Sequence, residues 1–105
     1  MSTVLLAGQK IEVNTEGFML DPGQWTLEVA TEIAREAGID PLNEEHWTVI
    51  DFCRRDNAEK GTPPGVRRIT KETGITTREM YQLFPGGPGV LSAKISGLTK
   101  PKGCV

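Results

Sequence analysis

The chain has 105 residues, a formal net charge of −2 and a pI near 5.4. A chain of this length forms one small domain, and its weakly acidic balance disfavours nucleic-acid binding through bulk positive charge. No apolar run approaches the ~20 residues that span a bilayer, and the first residues lack the basic segment and long apolar stretch of a signal peptide. We therefore expect a cytoplasmic protein whose thiols are reduced.

Two short β-prone runs open the chain, at residues 3–7 and 10–14. The dipeptide Gly8-Gln9 separates them, which predicts a β-hairpin with a two-residue turn. An isolated hairpin is only marginally stable in water, so we expect it to pack on the helices that follow.

Apolar periodicity and cap residues then predict a series of helices. Asn43 is a typical N-cap, Gly61 and Gly74 are typical stops, and Thr76 with Glu79 matches a capping box. The predicted helices cover residues 24–37, 44–60, 66–73, 77–84 and 88–95.

The fold class that follows is mainly α (α+β). It is a small helical bundle with a helix-turn-helix-like pair, an N-terminal β-hairpin and a flexible C-terminal arm. Within a single domain of residues 1–105, the hairpin takes residues 3–14, the helical body 24–96 and the arm 97–105. Pro and Gly in the arm cannot continue a helix, and its few apolar residues should add little to the core.

The two cysteines have different predicted surroundings. Cys53 falls on the inward stripe of the second helix with Val49 and Ile50, and we expect Trp47 and Phe52 to face inward with it, so Cys53 is interpreted as core packing. Cys104 is the second-to-last residue and is expected to be an exposed, reactive thiol on a tether.

The lone histidine, His46, has no Cys or His partner at ligand spacing, so we interpret it as a structural or surface group. We predict no metal site and no cofactor, since Walker, dinucleotide and C-x-x-C motifs are absent from the sequence.

The third and fourth predicted helices are joined by a tight Gly-containing turn and carry the positive residues Arg67, Arg68, Lys71 and Arg78. One hypothesis is a helix-turn-helix DNA-binding regulator that responds to oxidation of Cys104. The acidic pI counts against it, and core packing with solvated surface charge explains the same residues.

Two C-terminal segments resemble a known family. Residues 81–88 read Y-Q-L-F-P-G-G-P and residues 94–105 read K-I-S-G-L-T-K-P-K-G-C-V. Together they are similar to the C-terminal signature of the DsrC/TusE family of sulfur-relay proteins. The resemblance extends to Gly17-Phe18, to residues 44–47 and to residues 64–67, so it covers nearly the whole chain. It implies a helical domain with a hairpin and a flexible arm whose penultimate cysteine, here Cys104, carries sulfur as a persulfide.

One departure from the family pattern bears on mechanism. Members that act with dissimilatory sulfite reductase carry a second arm cysteine, and Ala93 occupies that position here. Ala93 is either natural to a single-cysteine paralogue or an engineered replacement. The TusE branch, which relays sulfur towards tRNA thiolation, also keeps only the penultimate cysteine, but it often has an insertion that this chain lacks after Gly74. The resemblance thus leaves both pathways open, along with a non-catalytic docking module of a sulfite reductase complex.

We therefore expect a sulfurtransferase-type carrier rather than a stand-alone enzyme. The thiolate of Cys104 would take the terminal sulfur from a donor persulfide, and an arm reaching on the order of 25 Å from Gly97 would deliver it to a cysteine of an acceptor protein. The candidate residues for binding a partner or an anionic sulfur species are Arg67, Arg68, Lys71, Lys100 and Lys102.

Overall fold

The computed structural model describes residues 2–101 and contains a two-stranded hairpin followed by five α-helices. The strands are β1 (Ser2–Leu6) and β2 (Gln9–Val13), and a single 3-10 turn (Pro22–Gln24) follows them. The helices are α1 (Leu27–Glu36), α2 (Glu44–Lys60), α3 (Val66–Thr73), α4 (Thr77–Leu83) and α5 (Pro88–Ile95). The predicted fold class, mainly α with an N-terminal β-hairpin, is confirmed.

The hairpin turn lies one residue earlier than predicted. Strands β1 and β2 pair antiparallel with Leu6 opposite Gln9, so the turn residues are Ala7 and Gly8. Their φ angles are +51° and +79°, which is the pattern of a type I′ turn. Such a turn requires positive φ at both central positions, and the right-handed twist of the strands favours it. The glycine therefore takes the second turn position rather than the first.

The first helix is shorter than predicted because a separate 3-10 turn precedes it. Helix α1 begins after Thr26, whose side-chain oxygen accepts a hydrogen bond from the backbone N–H of Val29 at 3.0 Å. The boundaries of α2 and α3 and the start of α4 agree with the sequence prediction. Gly61 and Gly74 end α2 and α3 with φ angles of +78° and +81°.

One hydrophobic core joins the hairpin to all five helices. Cys53 belongs to it with 1% exposure, as predicted, whereas Trp47 and Phe52 are only partly buried and pack against its edge. Helix α5 lies in the interior and packs against both α1 and α2. The C-terminal segment begins directly after the end of this helix. No helix among residues 2–101 is long and apolar enough to cross a membrane.

Candidate functional site at the base of the C-terminal arm

The sequence predicts a reactive thiol at Cys104. Cys104 and Lys102 lie outside the described residues, so the structural account concerns the start of the arm, residues 97–101, and the groups that hold it. This segment follows α5 directly and contains neither helix nor strand.

Helix α5 ends in a Schellman motif. Gly97 has a φ of +74°, and its N–H donates to the carbonyl of Lys94 at 3.1 Å. The N–H of Leu98 donates to the carbonyl of Ala93 at 3.0 Å. This pair of bonds is the arrangement in which a glycine in the left-handed region stops a helix and turns the chain away.

Two side chains from elsewhere in the fold satisfy the remaining carbonyls of this helix end. The indole N–H of Trp25 donates to the carbonyl of Ile95 at 2.8 Å, and Nη1 of Arg54 donates to the carbonyl of Ser96 at 2.9 Å. The guanidinium of Arg54 also lies 4.2 Å from the ring centroid of Trp25, in cation–π contact. Each of the last four carbonyls, 93–96, which a helix leaves without intrahelical partners, therefore has a donor.

Gly97 is packed directly under Trp25. A Cβ atom added to this glycine would lie 2.5 Å from Cδ1 and 2.9 Å from Cγ of the indole. The close approach and the positive φ both require glycine at this position.

The first arm residues pack on the body. Leu98 is 2% exposed and belongs to the core, and Pro101 is also buried. The expectation that the arm adds little to the core is therefore wrong at Leu98. Lys100, a predicted partner-binding residue, is half exposed and forms an ion pair with Glu16, Nζ to Oε2 at 3.2 Å.

The second thiol, Cys53, lies on α2 against the last turns of α5. Burial raises the pKa of the Cys53 thiol to about 12. The hydroxyls of Ser96 and Ser92 act in the opposite direction but do not offset the loss of solvation. Ser92 is bonded to the carbonyl of Gly89 at 3.2 Å, whereas Ser96 Oγ has no partner of hydrogen-bond geometry among residues 2–101. Cys53 is therefore buried, and its raised pKa disfavours the thiolate that thiol chemistry requires.

The basic residues of α3 divide into two groups. Arg68 donates three hydrogen bonds to the buried carboxylate of Asp56, at 2.7 to 3.1 Å, and its Nη1 lies 3.9 Å from Glu72. The hydrogen bonds from Arg68 hold the pKa of Asp56 below its usual value. Arg67 and Lys71 are exposed and lie one helical turn apart. Arg68 thus has an intramolecular role that the sequence did not reveal, and only Arg67 and Lys71 of this group are exposed.

His46 is a structural residue, in line with one of the two interpretations from sequence. Its Nδ1 accepts from the backbone N–H of Asn43 at 3.1 Å, so Nε2 carries the proton and donates to the carbonyl of Leu83 at 2.7 Å. The ring also meets Phe84 edge to face at 5.2 Å. His46 therefore fastens the start of α2 to the end of α4. Within residues 2–101, no cluster of three or more His, Cys, Asp or Glu side chains could hold a metal ion.

An open, mainly apolar groove of about 780 Å³ adjoins the arm base. Trp25 and Arg54 are among its lining residues, so the two side chains that hold the end of α5 also line this groove. The other lining residues are Leu27, Trp47, Ile50, Asp51, Arg55 and Ala58.

Comparison with known proteins places this geometry in a family. The model of the family described as DsrC like protein matches residues 5–105. The chain is 37% identical, over the full length of both chains, to the dissimilatory-type sulfite reductase subunit gamma of Nitratidesulfovibrio vulgaris. It is also 37% identical to the sulfurtransferase TusE of Escherichia coli K12, covering 97% of this chain and 99% of TusE.

Solved structures agree with this relationship. The crystal structure of dissimilatory sulfite reductase I superposes with a TM-score of 0.89 at 36% identity, covering 99% of this chain and 100% of that one. The NMR structure of Allochromatium vinosum DsrC gives a TM-score of 0.85 at 34% identity, covering 98% and 97% of the two chains. With a family model that spans almost all of the sequence and relatives that match end to end, the chain belongs to the DsrC family.

Proposed function

We propose that this protein is a sulfur carrier that holds a persulfide sulfur on Cys104 and passes it to a cysteine of a partner protein. The observation that carries the proposal is the state of the other thiol. The chain has two cysteines, and Cys53 is 1% exposed with a pKa of about 12. Cys104 is therefore the cysteine left for thiol chemistry, and it is also the residue that the family resemblance assigns to sulfur transport.

The loading step is a thiol–persulfide exchange. The thiolate of Cys104 attacks the terminal sulfur of a donor persulfide, and a new S–S bond forms as the donor S–S bond breaks. The donor thiolate leaves with the electron pair of the broken bond and takes up the proton that Cys104 released. No external oxidant or reductant is consumed, and the second exchange, onto the acceptor cysteine, has the same balance.

The position of Ala93 restricts how the sulfur can leave. Ala93 is 1% exposed inside α5, and Cys53 is enclosed beside the same helix. Release through an internal disulfide would require a second accessible thiol in this chain. We therefore propose that the acceptor protein supplies the thiol that receives the sulfur.

The packing of residues 98–101 shortens the reach of the carrier. Pro101 is buried, and Cys104 lies three residues beyond it in the sequence. At about 3.3 Å per residue, three residues span at most on the order of 10 Å, so Cys104 can lie no farther than this from Pro101, whereas the expected reach on the order of 25 Å was counted from Gly97. The acceptor must then approach the body closely, and the exposed Arg67 and Lys71 are candidates for contacting it.

The test is loading by inorganic polysulfide, followed by intact mass measurement and peptide mapping. We expect the native chain and Cys53→Ser to gain sulfur on Cys104 and Cys104→Ser to gain none. Cys53→Ser is the matched control, because it removes the same type of atom from a buried site. Failure of the native chain to take up sulfur would contradict the carrier function and favour a docking module. Sulfur on Cys53 of the folded protein would contradict the assignment to Cys104.

A further inference from the structure

Two residues that are distant in sequence donate hydrogen bonds to the carbonyls at the end of α5, where the arm begins. Trp25 lies 70 residues before its acceptor Ile95, and Arg54 lies 42 residues before its acceptor Ser96. Arg54 has a further anchor, since its Nη2 lies 3.3 Å from the carbonyl of Pro22. Arg54 is thus fixed to the body by a contact independent of the arm, and Trp25 lies in cation–π contact with it.

These contacts restrict the direction in which the arm leaves the helix. A hydrogen bond to a carbonyl restrains the plane of its peptide group. The carbonyls of Ile95 and Ser96 belong to the last two peptide groups before the arm. Gly97 lies against the indole of Trp25, so the backbone at this residue cannot move towards the ring without collision. The two Schellman hydrogen bonds, from Gly97 and Leu98, stabilise the same turn.

We propose that Trp25 and Arg54 are positioning residues for the sulfur relay, which set the direction of the C-terminal arm by holding the carbonyls of Ile95 and Ser96. The proposal depends on the proposed function only for what the arm carries. Neither side chain is required to touch the sulfur. Their effect is to fix the path on which residues 97–101 leave α5, and Cys104 lies only three residues beyond Pro101 in the sequence.

The test uses conservative substitutions with neighbours as controls. Trp25→Phe keeps an aromatic ring but removes the N–H donor, and Arg54→Lys keeps the charge but cannot hold both carbonyl partners. Trp47→Phe and Arg55→Lys are the matched controls. Trp47 and Arg55 line the same groove, and Arg55 pairs with Asp51 at 2.9 Å rather than with the arm.

The primary measurement is a distance distribution between two nitroxide labels, one on Cys104 and one introduced by Lys71→Cys on exposed α3. Buried Cys53 remains unlabelled. We expect Trp25→Phe and Arg54→Lys to broaden and shift the distribution while both controls reproduce that of the native chain. Loading of Cys104 by inorganic polysulfide should be unchanged in all four variants, because a small reagent does not depend on the direction of the arm.

Each possible result either supports or contradicts the positioning role of Trp25 and Arg54. Distributions that are unchanged in Trp25→Phe and Arg54→Lys, or equally broadened in the controls, would overturn the positioning role. A purely stabilising role would lower the melting temperature without changing the distribution of the folded protein, and that result would also overturn it. If one variant does not fold, the other still tests the proposal. A native chain that takes up no sulfur would contradict the proposed function, while the distance measurement would still test the positioning.

Discussion

Replacing Gly97 with alanine tests the packing of the arm base directly. Gly97 has a φ of +74°, and an added Cβ would lie 2.5 Å from Cδ1 of Trp25. Gly74, at the end of α3, has a φ of +81°, and nothing lies within 4 Å of an added Cβ. The two substitutions share the same backbone strain, and only Gly97→Ala adds a collision.

The backbone strain and the collision lower the free energy of unfolding by different amounts. An L-residue in the left-handed region costs about 1–2 kcal/mol, and alanine recovers about 0.4–1 kcal/mol by restricting the unfolded chain. We therefore expect Gly74→Ala to lower the free energy of unfolding by about 1 kcal/mol or less. In Gly97→Ala, the indole must move, which adds about 1–3 kcal/mol of overpacking and about 1 kcal/mol for the lost bond to Ile95. The expected loss is about 3–4 kcal/mol.

Urea denaturation followed by circular dichroism measures both values. In thermal denaturation of a domain of about this size, each kcal/mol lowers the melting temperature by about 4–8 °C, so the melting temperatures of the two variants should differ by about 8 °C or more. Trp25→Ala combined with Gly97→Ala removes the colliding ring, and the cost of the glycine substitution should fall to that of Gly74→Ala. Equal destabilisation by Gly97→Ala and Gly74→Ala would refute the close packing of Gly97 against Trp25.

Three further substitutions test other contacts. Leu98→Ala should cost about 2–4 kcal/mol of unfolding free energy, because the side chain is buried, whereas exposed Thr99→Ala should cost less than about 0.5 kcal/mol; similar small effects would place the start of the arm outside the core. His46→Ala should cost about 2–4 kcal/mol, since it leaves the carbonyl of Leu83 and the N–H of Asn43 without partners, while the exposed neighbour substitution Glu45→Ala should be nearly neutral in the same urea titration. The pKa of Asp56 is depressed in the folded state, so its pairing with Arg68 should stabilise the protein above the unfolded pKa of about 4 and cease to do so as the pH falls through the lower folded value. The stability difference between the native chain and Asp56→Asn should accordingly shrink on acidification below pH 4, and a difference independent of pH down to pH 2 would contradict the pairing.

Several features of this protein could be read from local sequence. Asn43, Gly61, Gly74 and the Thr76–Glu79 pair set the ends of helices, and their interactions involve residues no more than four positions apart. Such contacts form within one turn of chain, so the sequence determines them without knowledge of the fold. The assignment of Cys53 to the core followed from helical periodicity for the same reason.

Local sequence predicted the hairpin and the first helix but not the exact position of the turn or the first residue of α1. Gly8 fits either position of a two-residue turn, and the choice depends on the twist of the paired strands. The sequence prediction began the first helix at Gln24, whereas Pro22–Gln24 form a separate 3-10 turn and Thr26 caps α1.

The contacts at the base of the arm were decided by tertiary structure alone. Trp25, Arg54 and His46 each donate to a carbonyl at the end of a helix that is 37 to 70 residues away in sequence. A backbone carbonyl carries no side-chain identity, so no residue pattern marks it as an acceptor. These pairs arise only when packing of the apolar faces brings α5 and α4 against α2 and the segment before α1, which is why the sequence could indicate the thiol but not the groups that direct the arm.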